Sequence, residues 1–165
     1  MHPRAAELIA TLGLQPHPEG GYFAEVYRSA TRVQPSDSRD ERAALTTIYF
    51  LLTAADVSCW HRVRSDEVWH FYEGDPLELV TADPDFAHVT RRLLGRATVG
   101  THPVHVVRAD EWQAARSTGD YTLVGCTVGP GFEFEDFEML RDRADAEAVR
   151  QRHPEVAEFI QAHPE

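Results

Sequence analysis

The sequence predicts an all-β fold, an antiparallel sandwich or barrel with short helices at both ends. Between residues 22 and 140, apolar side chains recur with period two in many short runs, and turn-forming residues separate these runs at near-regular spacing. Helical periodicity occurs only before and after that stretch. Because no helical segment lies between the strands, the sequence does not have the strand–helix alternation of a parallel sheet.

The first element is a predicted helix over Pro3–Leu12. Proline is tolerated in a first turn, Leu8 and Leu12 recur on one side, and Gly13 stands just past the end. A run of turn formers follows over 15–21. The strands are then predicted at 22–28, 43–52, 57–63, 67–72, 77–82, 88–94, 104–108, 112–116, 121–128 and 132–140.

Two further segments complete the prediction. The polar connection 29–42 is expected to be a mobile surface loop. After residue 140 helical periodicity returns, and we expect C-terminal helices over 142–161, the first (142–150) capped by Asp145 and the second opened by Pro154. Residues 1–165 are expected to form one domain, with a β core over about 20–140.

Charge and composition exclude several classes of partner. The chain has 16 basic and 27 acidic residues among 165, a formal net charge of −11, which argues against nucleic acid and anionic membrane surfaces. No apolar run approaches the roughly 20 residues needed to span a bilayer. Glu7 stands where the apolar core of a signal peptide would begin, so a cytoplasmic location is expected. Cys59 and Cys126 are interpreted as buried small hydrophobes.

The segment 58–76 contains the candidate site. Strands 57–63 and 67–72 are predicted to pair as a tight hairpin, with His61 and Glu67 near the same end. Alternation places Glu67 on the same face as Trp69, which suggests that this face lines the interior. A buried carboxylate needs a partner. His61 is the nearest candidate, and Arg62 is the alternative.

Three stretches of the sequence resemble a known family. Glu67 followed by six residues and Gly74, with His61 before them, is similar to the first motif of the cupin superfamily. The stretches 106–116 and 119–132 resemble its second motif. The resemblance covers about residues 5–140. Within the superfamily, the sequence is most similar to a branch of unknown function with an RmlC-like barrel. This resemblance implies a double-stranded β-helix (jelly roll), a homodimer and a ligand pocket at the barrel mouth.

The resemblance also implies a metal set, from which this sequence departs. A metal-binding cupin has two histidines separated by one residue in its first motif, and here His61 and Val63 stand there. A third histidine is expected in the second motif, where this chain has Gln113. A divalent transition metal is therefore a candidate cofactor, held by His61, Glu67 and Gln113. His70 is a less favoured substitute because alternation points it away from the face of Glu67.

Three functions remain open at this stage. One is a sugar or sugar-nucleotide isomerase or epimerase, because residues 20–25 loosely resemble the start of deoxysugar 3,5-epimerases. In that case His61 is the base and Tyr72 or Tyr121 the acid. The second is a metal-dependent enzyme, and the third is a non-catalytic module that binds a small polar ligand. The side chains expected to line the pocket are Trp69, Phe71, Tyr49 and Gln113.

Overall fold

A computed structural model describes residues 1–160 as two six-stranded β-sheets with a helical segment at each end. The helices are α1 (Pro3–Leu12) and α2 (Ala146–Arg152), and short 3₁₀ helices cover Phe134–Asp136, Leu140–Asp142 and Pro154–Phe159. The strands are β1 (Gln15–Pro16), β2 (Tyr22–Arg28), β3 (Arg32–Val33), β4 (Arg42–Ala43), β5 (Thr46–Thr53), β6 (Ser58–Val63), β7 (Asp66–Gly74), β8 (Leu77–Ala82), β9 (Val89–Leu94), β10 (Thr101–His102), β11 (Val104–Val107), β12 (Trp112–Ser117), β13 (Tyr121–Gly129) and β14 (Phe137–Met139).

The two sheets face each other and enclose the central core. The first sheet has the order β1-β2-β5-β13-β7-β11 and the second β10-β9-β8-β12-β6-β14, while β3 and β4 form a separate ribbon. All strand pairs in the two sheets are antiparallel except β10 with β9. The core combines Phe50 and Trp69 of the first sheet with Leu79 and Ala115 of the second. The predicted all-β jelly roll is confirmed.

The N-terminal helix has the predicted bounds. The side chain of His2 accepts a hydrogen bond from the backbone of Arg4 at its start, and Gly13 closes it in a left-handed conformation, at φ 64°. Ala5 and Leu8 pack on the outer face of the first sheet. This helix therefore covers one sheet and leaves the space between the sheets free.

The C-terminal segments cover the outer face of the second sheet, where Val149 and Phe159 pack on Trp60 and Trp112. The predicted helix 142–150 begins later, at Ala146, because a 3₁₀ turn occupies Leu140–Asp142. Asp145 is the cap residue of α2 but makes no side-chain capping bond. The second piece is a 3₁₀ helix rather than an α-helix, and Gln161 lies outside the described residues. No helix within residues 1–160 is long and apolar enough to cross a membrane.

The predicted hairpin of 57–63 and 67–72 is wrong. Strand β6 pairs with β12 and β14 in the second sheet, whereas β7 pairs with β13 and β11 in the first. The connection at Ser65 is thus a corner between sheets. Its hydroxyl is buried and accepts a hydrogen bond from Arg39. Strand β6 is buried along nearly its whole length, which fits a strand covered on both faces.

Two more expectations are corrected next to this corner. Most of the predicted strand 132–140 is irregular or 3₁₀, and only Phe137–Met139 pairs as a strand. The connection 29–42, expected to be a mobile surface loop, contains β3 and the start of β4, and its Arg39 and Arg42 are buried. The physical reason is the same for both, because the two guanidinium groups bind the buried carboxylate of Asp136.

Candidate functional site

A cavity lies between the two sheets, beside the segment that follows β13. Its volume is about 100 Å³. A single water molecule needs about 10–15 Å³ of such space, so the cavity has room for a small organic molecule. Titratable side chains form part of its lining and aromatic side chains another part. These are His17, Glu19, His61, Glu67 and Cys126, and Phe23, Phe50, Phe132, Phe134 and Phe137.

His61 is fixed in the cavity wall by both of its ring nitrogens. Nδ1 lies 2.7 Å from the carbonyl oxygen of Cys59, which can only accept, so Nδ1 carries a proton. Nε2 lies 3.1 Å from Oε2 of Glu19. Burial lowers the pKa of His61, while the charge of Glu67 and the bond to Cys59 act in the opposite direction. The bond to Cys59 therefore leaves Nε2 as the ring nitrogen that faces Glu19, and burial favours the neutral imidazole.

Glu19 is a site residue that the sequence analysis missed. It lies within the run of turn formers, where a carboxylate looks like a surface residue, yet its side chain is only 8% exposed. Gly20, at φ 109°, allows this position, because a Cβ there would overlap the carbonyl oxygen of Val57. The backbone carbonyl of Glu19 accepts from Cys59, and its Oε1 accepts from the hydroxyl of Ser58 at 2.9 Å.

One proton is shared between Glu19 and His61. Burial raises the pKa of Glu19, in opposition to the effects of His17 and Ser58, and burial lowers the pKa of His61. Two lone pairs do not approach to 3.1 Å without a proton between them. Because burial shifts the pKa of each group towards its uncharged form, we expect the carboxyl group of Glu19 to be the donor and Nε2 the acceptor.

His17 is a second residue that the sequence left among the scattered histidines. Its Nδ1 accepts a hydrogen bond of 3.1 Å from the backbone N–H of Glu19, so this nitrogen carries no proton. The 3.6 Å approach of Nδ1 to the Glu19 carboxyl is therefore not an ion pair. Burial lowers the pKa of His17, which keeps it neutral. Its ring packs edge-on against Phe23, with centroids 4.6 Å apart.

Glu67 faces the cavity, as predicted, but its hydrogen-bond partners differ from those expected. Its Oε2 accepts from Nε2 of Gln113 at 2.5 Å, and the thiol of Cys126 also hydrogen-bonds to the carboxyl group. Burial raises the pKa of Glu67 to about 7. The expected alternative partner, Arg62, instead binds Glu138. Glu67 is thus half protonated near neutral pH and can give or take a proton there.

Aromatic rings close the cavity beside His61. Phe137 stacks on the imidazole of His61, with centroids 5.4 Å apart and planes inclined by 29°. Phe132, Phe134 and Phe137 contact one another edge-on. Phe134 is 56% exposed, so these rings form the side of the cavity nearest to solvent. An apolar wall with buried acid–base groups suits a ligand that has both apolar and polar faces.

The charges at the opening compensate each other. Among the residues that the structure describes, Arg28 is the only cationic side chain apart from histidine in the lining. Its Nε binds Glu25 at 2.8 Å and its Nη1 binds Glu133 at 3.1 Å. All three side chains are partly exposed. Because two carboxylates surround one guanidinium group, the opening does not present a free positive charge to a phosphate or carboxylate ligand.

Several predicted site residues lie away from this cavity. Tyr121 donates to Glu73 on the side covered by α1, and Tyr72 is half exposed and contacts Tyr49 edge-on. His70 also does not line the cavity. Phe71 packs against the central core, and the buried Trp69 reaches the site through its indole N–H. The structure therefore brings together His61, Glu67, Gln113 and Trp69, but not the two tyrosines expected as acids.

The candidate metal set does not fit a metal ion. The amide of Gln113 directs its carbonyl oxygen to Trp69 and its NH₂ group to Glu67, so it offers a hydrogen-bond donor where a ligand atom is needed. Nε2 of His61 is already bonded to Glu19. Within residues 1–160, no group of three or more His, Cys, Asp or Glu side chains is arranged to hold a metal.

Two facing sheets of this topology, closed around a cavity, define a double-stranded β-helix of the cupin type. Residues 6–140 match the family described as Cupin superfamily (DUF985), and the chain belongs to that family. This confirms the resemblance seen in the sequence. No curated protein matches the chain.

Solved structures agree with this assignment. A hypothetical protein from Leishmania major is 34% identical, with a TM-score of 0.83 over 97% of this chain and 99% of that one. Protein SO0799 from Shewanella oneidensis is 34% identical, with a TM-score of 0.81 over 98% of both chains. Oxalate decarboxylase from Bacillus subtilis is 11% identical, with a TM-score of 0.57 over 90% of this chain and 36% of that one, and is similar in fold alone.

Proposed function

We propose that the protein binds a small uncharged hydroxycarbonyl compound, such as a sugar, in the cavity and isomerises it by proton transfer at His61. The observation that carries this proposal is the buried 3.1 Å contact between His61 Nε2 and Glu19, with Nδ1 fixed on Cys59. An imidazole that is held in one tautomer by its far nitrogen is ready to act as a base through the other.

The acid–base groups are sufficient for an isomerisation. A ligand that opens the contact between Nε2 and Glu19 exposes the Nε2 lone pair, which takes a proton from the carbon next to the ligand carbonyl. Glu67, with a pKa of about 7, donates its proton to the carbonyl oxygen and gives an enol. His61 then returns the proton to the former carbonyl carbon, while the hydroxyl proton on the carbon that was deprotonated passes to the Glu67 carboxylate, and the carbonyl group has moved by one carbon. Glu67 thus takes the role that the sequence assigned to a tyrosine.

The cavity supports an uncharged ligand rather than a sugar nucleotide. Arg28 is neutralised by Glu25 and Glu133, and the carboxyl groups of Glu19 and Glu67 lie inside. A diphosphate would meet carboxylates without a free cation to bind it. The aromatic rings of Phe132 and Phe137 offer apolar surface to the C–H face of a sugar ring.

A non-catalytic binding module is the second candidate, and one observation favours it. Nε2 of His61 is already engaged by Glu19, so a ligand that does not displace this contact leaves the base covered. Such a ligand would be bound through the aromatic wall and Glu67 without proton transfer.

Hydrogen exchange in deuterated water tests the proposal. The protein is incubated with uncharged aldoses and ketoses, and with keto-deoxysugar nucleotides as the charged comparison, and incorporation of deuterium next to the carbonyl is followed by NMR. We expect deuterium incorporation with an uncharged sugar, at a rate that falls about 100-fold or more in His61→Gln. His88→Gln is the matched control, because His88 is exposed and binds Asp83 away from the cavity.

The outcomes separate the two candidates. Thermal stabilisation by a sugar without exchange would support the binding module. Exchange only with the sugar nucleotides, or equal loss in His61→Gln and His88→Gln, would overturn the proposed reaction.

A further inference from the structure

The amide of Gln113 lies between an indole and a carboxyl group deep in the barrel. Its Oε1 accepts from Nε1 of Trp69 at 2.8 Å, and its Nε2 donates to Oε2 of Glu67 at 2.5 Å. All three residues are nearly inaccessible to solvent, with Trp69 and Gln113 each 1% exposed. They belong to two strands: Trp69 and Glu67 to β7 of the first sheet, and Gln113 to β12 of the second, so the contact crosses the barrel. The strand that carries Cys126, β13, lies beside β7.

The orientation of this amide has only one solution. An indole N–H can donate but not accept, so the atom that faces Trp69 must be the carbonyl oxygen. The NH₂ group consequently faces Glu67, whose Oε2 must accept. When Glu67 is protonated, its proton is therefore on Oε1. Glu67 lines the cavity whereas Gln113 does not, so Oε1 is the oxygen available to a ligand.

We propose that Gln113 is a positioning residue, which Trp69 holds with its NH₂ group towards Glu67 so that Glu67 presents the Oε1–H group to the ligand in the cavity. This inference rests on the proposed function for the role of Glu67 as proton donor. Gln113 itself does not touch the ligand, and it acts through the carboxyl group that it orients.

Gln113 is the strongest hydrogen-bond donor among the groups that could orient the carboxyl of Glu67. The titratable groups that face Glu67 are His61 on β6, Glu19 on the turn before β2, and Cys126 on β13. Its cross-strand neighbours are the apolar residues Val128 and Val107. Among these groups only the thiol of Cys126 also donates to the carboxyl, and because an S–H group is a weak donor, the N–H group of Gln113 is the stronger constraint on which oxygen carries the proton.

Two variants separate orientation from packing. Gln113→Glu keeps the shape and an oxygen acceptor for Trp69, and it loses only the NH₂ donor. Gln113→Met keeps the approximate volume and loses both the acceptor and the donor. Gln151→Glu is the matched control, because Gln151 is exposed on α2, far from the barrel interior.

NMR on the ligand-free protein gives the readouts. The indole N–H signal of Trp69 is assigned with Trp69→Phe, and the signals of Trp60 and Trp112, which donate to Val156 and Pro84, serve as internal references. The ¹³C carboxyl signal of Glu67 is assigned with Glu67→Gln and followed against pH. In Gln113→Glu we expect an unchanged Trp69 signal and a Glu67 midpoint raised by about one pH unit or more, because two carboxyl groups then share the contact.

In Gln113→Met we expect an upfield shift of the Trp69 signal and a raised Glu67 midpoint, because the donor that stabilises the charged carboxylate is gone. An unchanged Glu67 midpoint in Gln113→Met, or an unchanged Trp69 signal there, would overturn the proposal, and this variant decides it if Gln113→Glu does not fold. In the exchange assay, the rate of deuterium incorporation should fall about tenfold or more in both variants. If the wild-type protein exchanges no sugar proton, the proposed function fails while the NMR result still decides the role of Gln113.

Discussion

Arg42 and Asp136 form a buried two-point ion pair, with Nε to Oδ2 and Nη2 to Oδ1 both at 3.0 Å. Arg39 adds a third contact to Oδ2 at 3.2 Å. Burial opposes ionisation of Asp136, yet the two guanidinium groups hold the pKa of its carboxyl below the ordinary value. The pair joins the connection 29–42 to the 3₁₀ helix Phe134–Asp136. It therefore holds in place the segment that supplies Phe134 to the aromatic wall of the cavity.

The first prediction is that Asp136→Asn destabilises the protein strongly. The substitution removes the buried carboxylate between two buried guanidinium groups, which keep only the more exposed Asp37 and Glu135 as counter-charges. Breaking one partner of a buried pair costs about 3–5 kcal/mol. Glu138→Gln is the control, because Glu138 is 39% exposed and its contacts with Arg62 and Arg143 are worth about 1 kcal/mol or less. Urea unfolding at pH 7 measures both. Equal losses in the two variants would show that the cluster around Asp136 has no special role.

The second prediction concerns the proton between Glu19 and His61. If the carboxyl group donates to Nε2, Glu19→Gln reproduces the contact, because an amide N–H replaces the O–H and the amide oxygen still accepts from Ser58. We expect its free energy of unfolding at pH 7 to be at least that of the wild type. Glu19→Ala should lose about 1–3 kcal/mol, because a buried hydroxyl and a ring nitrogen lose their partner. Equal losses in both variants would instead indicate an ion pair with a charged His61.

Much of the fold was predictable from local pattern. Proline and glycine at its two ends gave the bounds of α1, and period-two alternation gave the bounds of β2 and β8. The same alternation placed Glu67 and Trp69 on an interior face. These features depend on residues that are close together in the chain, so the local sequence pattern is sufficient to predict them.

The remainder depended on contacts between distant parts of the chain. A short polar connection at Ser65 is compatible with a hairpin or a corner, and only the pairing of β6 with β12 decides between them. Glu19 reads as a turn residue, because its burial depends on Val57 and Ser58. A carboxylate directly before two glycines was the available signal, since glycines permit a close backbone approach. The homodimer and the cytoplasmic location stay predictions.

The third prediction is a pH dependence of stability that depends on Glu67. Its pKa rises from the ordinary 4.5 to about 7 on folding, because burial disfavours the carboxylate. A carboxyl group with a raised pKa binds protons more strongly in the folded than in the unfolded protein. Its contribution is therefore fully present below pH 4.5, and it is lost as the pH rises through about 7. The 2.5-unit difference corresponds to about 3 kcal/mol.

Comparison with Glu67→Gln isolates this contribution. Asp136 and Glu138 have lowered pKa values and stabilise the folded state as the pH rises through the acidic range, so the wild-type profile alone mixes opposite effects. The amide of Glu67→Gln does not titrate, and the difference between the two free energies of unfolding removes the common terms. Urea titrations between pH 4 and 8 should show wild-type protein losing about 3 kcal/mol relative to Glu67→Gln, mostly between pH 4.5 and 7. A difference that stays constant over this range would mean that folding does not shift the pKa of Glu67, which would then be ionised at neutral pH and could not donate a proton there.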